Sequence, residues 1–432
     1  MTESEFSMFF GQKILDYKED ILKDLDELIK IQSVSSQGSE MPAKALEWIL
    51  QKAENMGFST KNINGIAGHV EYGDGEELAA VLAHVDVVPA GDGWSVEPFA
   101  LTEKNGRLYG RGVVDDKGPA IVALYCLKAL KDNGIVPKRK IRLIFGAAEE
   151  IGMNDMEEYF KHEKMPDMAF TPDSEYGICK CEKGILQLEI SSEINENSYL
   201  KEFHSGNAVN AVPSRADAFV DREFQAVGKA SHGSTPELGV NAAVNLIKTL
   251  SDIYGYSSLG NLCTFLGKEI GSETDGKSLG ISCKDELSGN LTVNLGVVDI
   301  DKNISHAFID IRYPVTEDFA MIIKQVGAKA APYSLKVGVY NHEEPLCIDE
   351  NSPVMTILKN AYQTVTGEEP EIYSTGGGTY ARTLKNNGAA FGPVFKGDIS
   401  NIHDVDESID KNNFFQHAQI CLQAILGFAL EI

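Results

Sequence analysis

No stretch of the 432-residue chain reaches the roughly 18 unbroken apolar residues that a membrane-spanning helix requires, so a membrane partner is not expected. The first twenty residues, MTESEFSMFFGQKILDYKED, lack a basic segment followed by a long apolar run and a small-residue cleavage site, and so give no sign of an export leader. Basic residues are scarce: 39 Lys plus Arg stand against 64 Asp plus Glu, for a net charge of -25. Such a surface repels phosphate backbones, which excludes nucleic acid as an expected partner. Cysteine is sparse too. The seven are scattered from Cys126 to Cys421, the usage of free thiols in a reducing compartment, and the cytoplasm is the expected location. Cys179 and Cys181 form a C-x-C with no second pair nearby, a spacing narrower than zinc sites use. The chain also lacks internal repeats, low-complexity linkers and the G-x-x-x-x-G-K-[ST] pattern, so the glycine run in TGGGTYAR is not read as a phosphate loop.

What is present suits a globular protein of two domains, since 432 residues are long for one hydrophobic core. Over the first 180 residues helix and strand patterns alternate. Leu22, Leu25, Leu28 and Ile29 recur at helical spacing, as do Leu46, Ile49, Leu50 and Ala53 before Gly57. ELAAVLAHVDV, KIRLIFGAAEE and MAFTPDS read as buried strands, and PAIVALYCLKALKDNG as a helix between the first two. The pattern predicts an α/β fold with a mostly parallel sheet flanked by helices. From about residue 183 the strands become partly alternating (GILQLEISSEI, LTVNLGVVDI, SHAFIDIRYPV), which predicts an inserted antiparallel α+β domain. The expected division is 1–182 for the first part of a catalytic domain, 183–340 for the insert and 341–432 for the second part.

In open α/β sheets ligands gather at the carboxyl ends of strands, where His84, Glu149 and Asp173 all fall. His84 and Asp86 are two apart and can face one site, the imidazole toward a metal and the carboxylate toward the ring. Alone, that pair reads equally as a satisfied histidine at a strand end, and each acidic pair as exposed loop charge. Together with Asp115 and Asp116 in VVDDKGP, Glu149 and Glu150 in GAAEE, and Asp173 in TPDSE, they form an array of carboxylates that would repel unless cations were present. The array therefore predicts a two-metal site. Adjacent Glu149 and Glu150 have divergent side-chain directions, so one can bind metal while the other takes a proton from an activated water; the chemistry implied is hydrolysis.

HVDVVPAGDGW, YGRGVVDDKGP, AAEEIGMNDM, TPDSEYG, ASHGSTPELGVNAA and TGGGTYAR, in that order, resemble the aminoacylase and carboxypeptidase-like co-catalytic zinc metallopeptidases. Within that family they resemble most the carnosinase-like bacterial dipeptidases of the PepV type. The resemblance implies two divalent ions per chain, zinc or else manganese or cobalt. His84 and Asp173 would bind one, Glu150 and His403 the other, and Asp115 would bridge both. Asp86 would orient His84, and Glu149 would be the general base. The Asp115–Asp116 peptide would be cis. The insert would act as a lid in which His232 stabilises the oxyanion, while Asn210, Arg312, Gly377 and Gly378 bind substrate. An aspartate at position 173 goes, in such enzymes, with free amino termini, so the implied activity is hydrolysis of unblocked dipeptides. The alternative is an N-acyl amino acid deacylase of the succinyl-diaminopimelate desuccinylase or acetylornithine deacetylase type. The long insert favours a monomer over a homodimer.

Overall fold

The run ELAAVLAH forms strand Leu78–His84, and the strand explains why the run is apolar throughout. All seven of its residues are buried. Ala79, Val81 and Ala83 enter one apolar cluster, while Ala80 and Leu82 enter another on the opposite face. A strand covered on both faces has no polar side to alternate with. In this computed structural model, which describes residues 10–193 and 198–430, that strand lies at the centre of a nine-stranded sheet. Residues 1–9, on which the leader reading partly rests, lie outside the described residues. None of the described helices is long and apolar enough to cross a membrane.

Leu78–His84 pairs in parallel with Lys140–Gly146 and with Met168–Thr171, which in turn pairs in parallel with Gly388–Ala390. Beyond these four strands the pairing becomes antiparallel, with Ala67–Tyr72 beside Lys140–Gly146 and Ser59–Ile63 at one edge. The sheet is therefore mixed with a parallel centre, and the class is α/β. Helices Glu40–Asn55, Lys117–Asp132 and Lys411–Leu430 supply the larger cluster, and Asn154–His162 the smaller. Every residue from Lys117 to Leu127 is buried, so that helix is enclosed on all sides rather than amphipathic.

The chain divides into two units: residues 1–180, 347–373 and 378–432 form the first, and residues 181–346 and 374–377 the second. The second unit is built on a seven-stranded sheet in which neighbouring strands run antiparallel. Strand Ser305–Tyr313 shows its logic. Ala307, Ile309, Ile311 and Tyr313 enter the core with helices Ala242–Tyr254 and Phe319–Ala330, which leaves His306, Phe308, Asp310 and Arg312 on the other face.

The free-thiol reading holds for Cys126, Cys179, Cys263, Cys283 and Cys421 but fails for Cys181 and Cys347, which are disulfide-bonded. The reason is strand pairing. Cys181 lies in strand Ile178–Glu182 and Cys347 in strand Leu346–Cys347, neighbours in the sheet although far apart in the chain.

Candidate metal centre

Three adjacent parallel strands end together, and the residues that follow them converge. His84 is the last residue of its strand and is fully buried. Its Nδ1 lies 3.0 Å from the carbonyl oxygen of Asp86. A carbonyl only accepts, so Nδ1 carries a proton and Nε2 is the nitrogen that faces the site. Nε2 is 2.8 Å from Asp115 Oδ1 and 4.0 Å from Asp173 Oδ2. The other oxygen of Asp115 is 3.0 Å from His403 Nε2, which is also 3.0 Å from Glu150 Oε2. Asp115 thus presents one oxygen to each histidine. One ligand-type atom from each of His84, Glu149 and Asp173 lies within 4.8 Å of the others, and the same is true of His84, Asp115 and Glu150.

The donor set fits divalent cations. Among the described residues, His84 Nε2, Asp115 Oδ1 and Glu150 Oε1 are buried with no hydrogen-bond partner of acceptable geometry. Buried polar atoms left unpaired are costly, and divalent cations held among these residues would remove that cost. A mixed nitrogen and oxygen set suits zinc and also accepts manganese or cobalt. Where no cation balances the charge, protons do. Burial, with Asp115 adding to it, pushes the Asp173 carboxyl up to about 8, and burial with Asp173, Glu150 and Asp115 pushes Glu149 well up against the opposing His84. Burial opposes charge on His403, but Asp115 and Glu150 overcome it and raise the imidazole to about 11.

The backbone beneath these ligands is held by carboxylates. The Asp86 carboxylate lies 3.4 Å from His84 Nδ1, beside the Asp86 carbonyl at 3.0 Å, so both groups of this residue face the ring nitrogen. The carboxylate accepts the amides of Glu149 at 3.2 Å and Glu150 at 3.3 Å. Asp155 accepts the amides of Ala147 and Ala148, each at 2.8 Å, and the hydroxyl of Tyr380. Four consecutive N–H groups, 147 to 150, are thereby fixed by two buried side chains. Gly146 is required here, since a Cβ would overlap the Tyr380 hydroxyl and the Asp155 carboxylate. The Tyr380 ring also lies edge-on to His84, with centroids 6.1 Å apart at 87°. Asp116 accepts the His84 amide at 3.1 Å, and the Asp115–Asp116 peptide is cis.

The remaining predicted residues fall in two places. In the second unit, exposed His232 has Nδ1 2.7 Å from the Ser234 hydroxyl, and the Asn210 carbonyl accepts the Gly233 amide at 2.6 Å. Asn294 ties that loop down by donating to Val209 and Ala211 carbonyls. Arg312 is buried. Its Nε and Nη2 each lie 3.0 Å from Asp310 Oδ2, and Nη1 donates to the Gly376 carbonyl at 2.9 Å. One fork of the guanidinium is therefore already taken by Asp310. The Gly377 amide donates to Thr375 Oγ1, and Gly378 belongs to the first unit. Asp155, Tyr380 and Asp310 were not singled out by the sequence, although each lies inside or beside a motif that was; nothing local distinguishes a carboxylate that will receive distant amides.

The profile described as Peptidase family M20/M25/M40 matches residues 80–427. The chain is similar to a Bacillus subtilis protein named "Putative dipeptidase YtjP", at 33% identity over 96% of this chain and 99% of that one. Among solved structures it is similar to human carnosine dipeptidase 1, with a TM-score of 0.67, 15% identity and coverage of 98% and 99% of the two chains. It is equally similar to the di-peptidase Dug1p of Saccharomyces cerevisiae, with a TM-score of 0.67, 17% identity and 99% of each chain covered. At those identities the two structures speak for the fold alone.

Proposed function

The chain belongs to peptidase family M20/M25/M40, and from that premise we propose that it is a metal-dependent dipeptidase acting on unblocked dipeptides. The observation that carries the reading is Asp115, which offers one oxygen to His84 and the other to His403 while, among the described residues, buried ligand-type atoms around it lack hydrogen-bond partners of acceptable geometry. His84, Asp115 and Asp173 would hold one divalent ion, and Asp115, Glu150 and His403 the second. Bound there, the ions would bring the pKa of a water toward neutrality and supply positive charge to the scissile carbonyl.

The protein's own groups do the rest. Glu149, placed by the Asp86 carboxylate through its amide, takes a proton from the attacking water and returns it to the leaving amine, so that water and dipeptide become two amino acids. His232, with Ser234 fixing its Nδ1, would donate to the oxygen of the former carbonyl as charge develops there. Asn210, Gly377 and Gly378 would bind substrate. Arg312 has five N–H donors, three of them engaged by Asp310 and Gly376, which leaves two for the carboxylate of a dipeptide.

The test compares an unblocked dipeptide, its N-acetylated counterpart and its C-terminal amide, with zinc, manganese or cobalt and after chelation. The dipeptide should be cleaved fastest, by roughly two orders of magnitude in kcat/KM over the amide, and chelation should abolish turnover. Faster cleavage of the N-acetylated compound would replace this reading with the deacylase one, and full activity after exhaustive chelation would remove the metals from it.

A further inference from the structure

Beside the metal centre lies an ion pair that the proposed chemistry does not use. Glu407 is fully buried, and Arg111 is 1% exposed. Arg111 Nη1 donates to Glu407 Oε2 at 2.6 Å. The same carboxylate accepts the amides of Gly112 at 3.0 Å, Val114 at 2.9 Å and Asp115 at 3.2 Å. The last of these is the backbone of the residue shared by both ligand sets. On its other side, Arg111 Nη2 donates to the carbonyl of Asp404, the neighbour of His403, at 3.0 Å and to that of Pro89 at 3.2 Å. Its guanidinium lies 5.3 Å from the centroid of the Trp94 ring. One pair of side chains therefore grips three segments: the turn that carries Asp115, the loop that carries His403, and the chain after His84 and Asp86.

The His403 loop needs such a grip. Residues 399–407 contain no helix or strand, and Asn401, His403 and Asp406 all have left-handed backbones, with φ of 50°, 63° and 58°. Non-glycine residues persist in that region only where their surroundings over-determine it. Apart from the approach of Asp115 to His403 itself, the side-chain contacts between the Asp115 turn and this loop run through Arg111 and Glu407, while Arg107 and Ser95 hold the loop at Ile399 and Asp406.

From this geometry we propose that Arg111 and Glu407 are positioning residues that set the separation of Asp115 and His403, and so tune the affinity of the centre for its second ion. The inference rests on the metal-dependent reading above and adds to it two residues outside the ligand set. Removing a partner behind a metal ligand typically costs about 10- to 100-fold in metal affinity or activity. Glu407→Gln keeps the size but turns an amide donor toward backbone N–H groups. Arg111→Lys keeps the charge but loses the planar fork that reaches Glu407, Asp404 and Pro89 together.

The experiment measures zinc affinity by chelator competition, the visible spectrum of the cobalt-loaded protein, thermal midpoint without metal, and kcat and KM on a dipeptide. Both variants should bind the weaker zinc ion about 10- to 100-fold less tightly, shift the cobalt bands and lower kcat while KM changes by less than about threefold. Glu71→Gln, which breaks the Arg142–Glu71 pair elsewhere in the first unit, should leave affinity and spectrum unchanged. Zinc affinity within about twofold of wild type with unaltered cobalt bands in the variants would overturn the inference, whatever happens to the thermal midpoint. If Glu407→Gln does not fold, Arg111→Lys decides by the same criterion. Wild-type protein that binds neither zinc nor cobalt would overturn the functional reading and this inference together, whereas normal binding in wild type and variants alike would overturn only the inference.

Discussion

The predicted metal ligands in the first unit and the predicted substrate residues in the second are held in different ways. Around the ligands, every amide from Ala147 to Glu150 is received by Asp86 or Asp155, both buried, and buried ligand atoms are left without partners. In the second unit, His232 and Asn210 are exposed on loops, and buried Arg312 is already engaged by Asp310 and Gly376. The first arrangement is a rigid frame with an unfilled electrostatic demand. The second is a set of groups whose own demands are largely met, which is compatible with the substrate role proposed for them. Damage to the first should therefore abolish chemistry, and damage to the second should change selectivity.

The strongest form of that contrast is Glu149→Gln. An amide of the same size cannot take a proton, so kcat should fall by about 10²-fold or more while both ions stay bound, as read by steady-state kinetics with metal analysis. Near-normal turnover would place the base elsewhere. Next comes Arg312→Ala, which takes the guanidinium from buried Asp310 and leaves Gln187 donating to it. It should lower kcat/KM on the free dipeptide by about 10² and shrink the preference over the amidated dipeptide, whereas Asp310→Asn should keep that preference. An unchanged preference in Arg312→Ala would move carboxylate recognition to another residue.

The pH dependence of metal uptake probes the first unit alone. In the metal-free protein Asp173 is raised to about 8 and His403 to about 11, so both carry protons at neutral pH that an incoming ion must displace. Affinity should therefore rise with pH by about tenfold per unit between pH 6 and 8, with proton release visible in calorimetry across buffers of different ionisation enthalpy. A flat profile would contradict protonated ligands. The smallest effect expected is that of Ser234→Ala, which removes the hydroxyl beside His232 Nδ1 while the Ser234 amide still donates to it at 3.3 Å; loss of one neutral hydrogen bond should lower kcat by about two- to tenfold.

The sequence is informative wherever structure is local. The apolar run ending at His84 and the acidic residues after KIRLIFG and MAFT mark adjacent strand ends, because parallel strands bury both faces and place their carboxyl ends side by side. It is silent where contacts are distant. Asp155 meets Tyr380 across 225 positions and Arg111 meets Glu407 across 296, and no spacing rule links such pairs. His403 came only from resemblance, and the oxidised state of Cys181 and Cys347 was missed because it depends on strand order. The antiparallel flanks of the main sheet were likewise not legible, since short edge strands such as Ser59–Ile63 carry polar sequence without a clear alternation.

The central claim is that two ions are held with Asp115 common to both, and calorimetric titration of metal-free protein with zinc tests it most directly. Wild type should take up two ions per chain, and Asp115→Ala should lose tight binding at both positions. Uptake of one ion or none by wild type, or two tight ions in Asp115→Ala, would contradict the account.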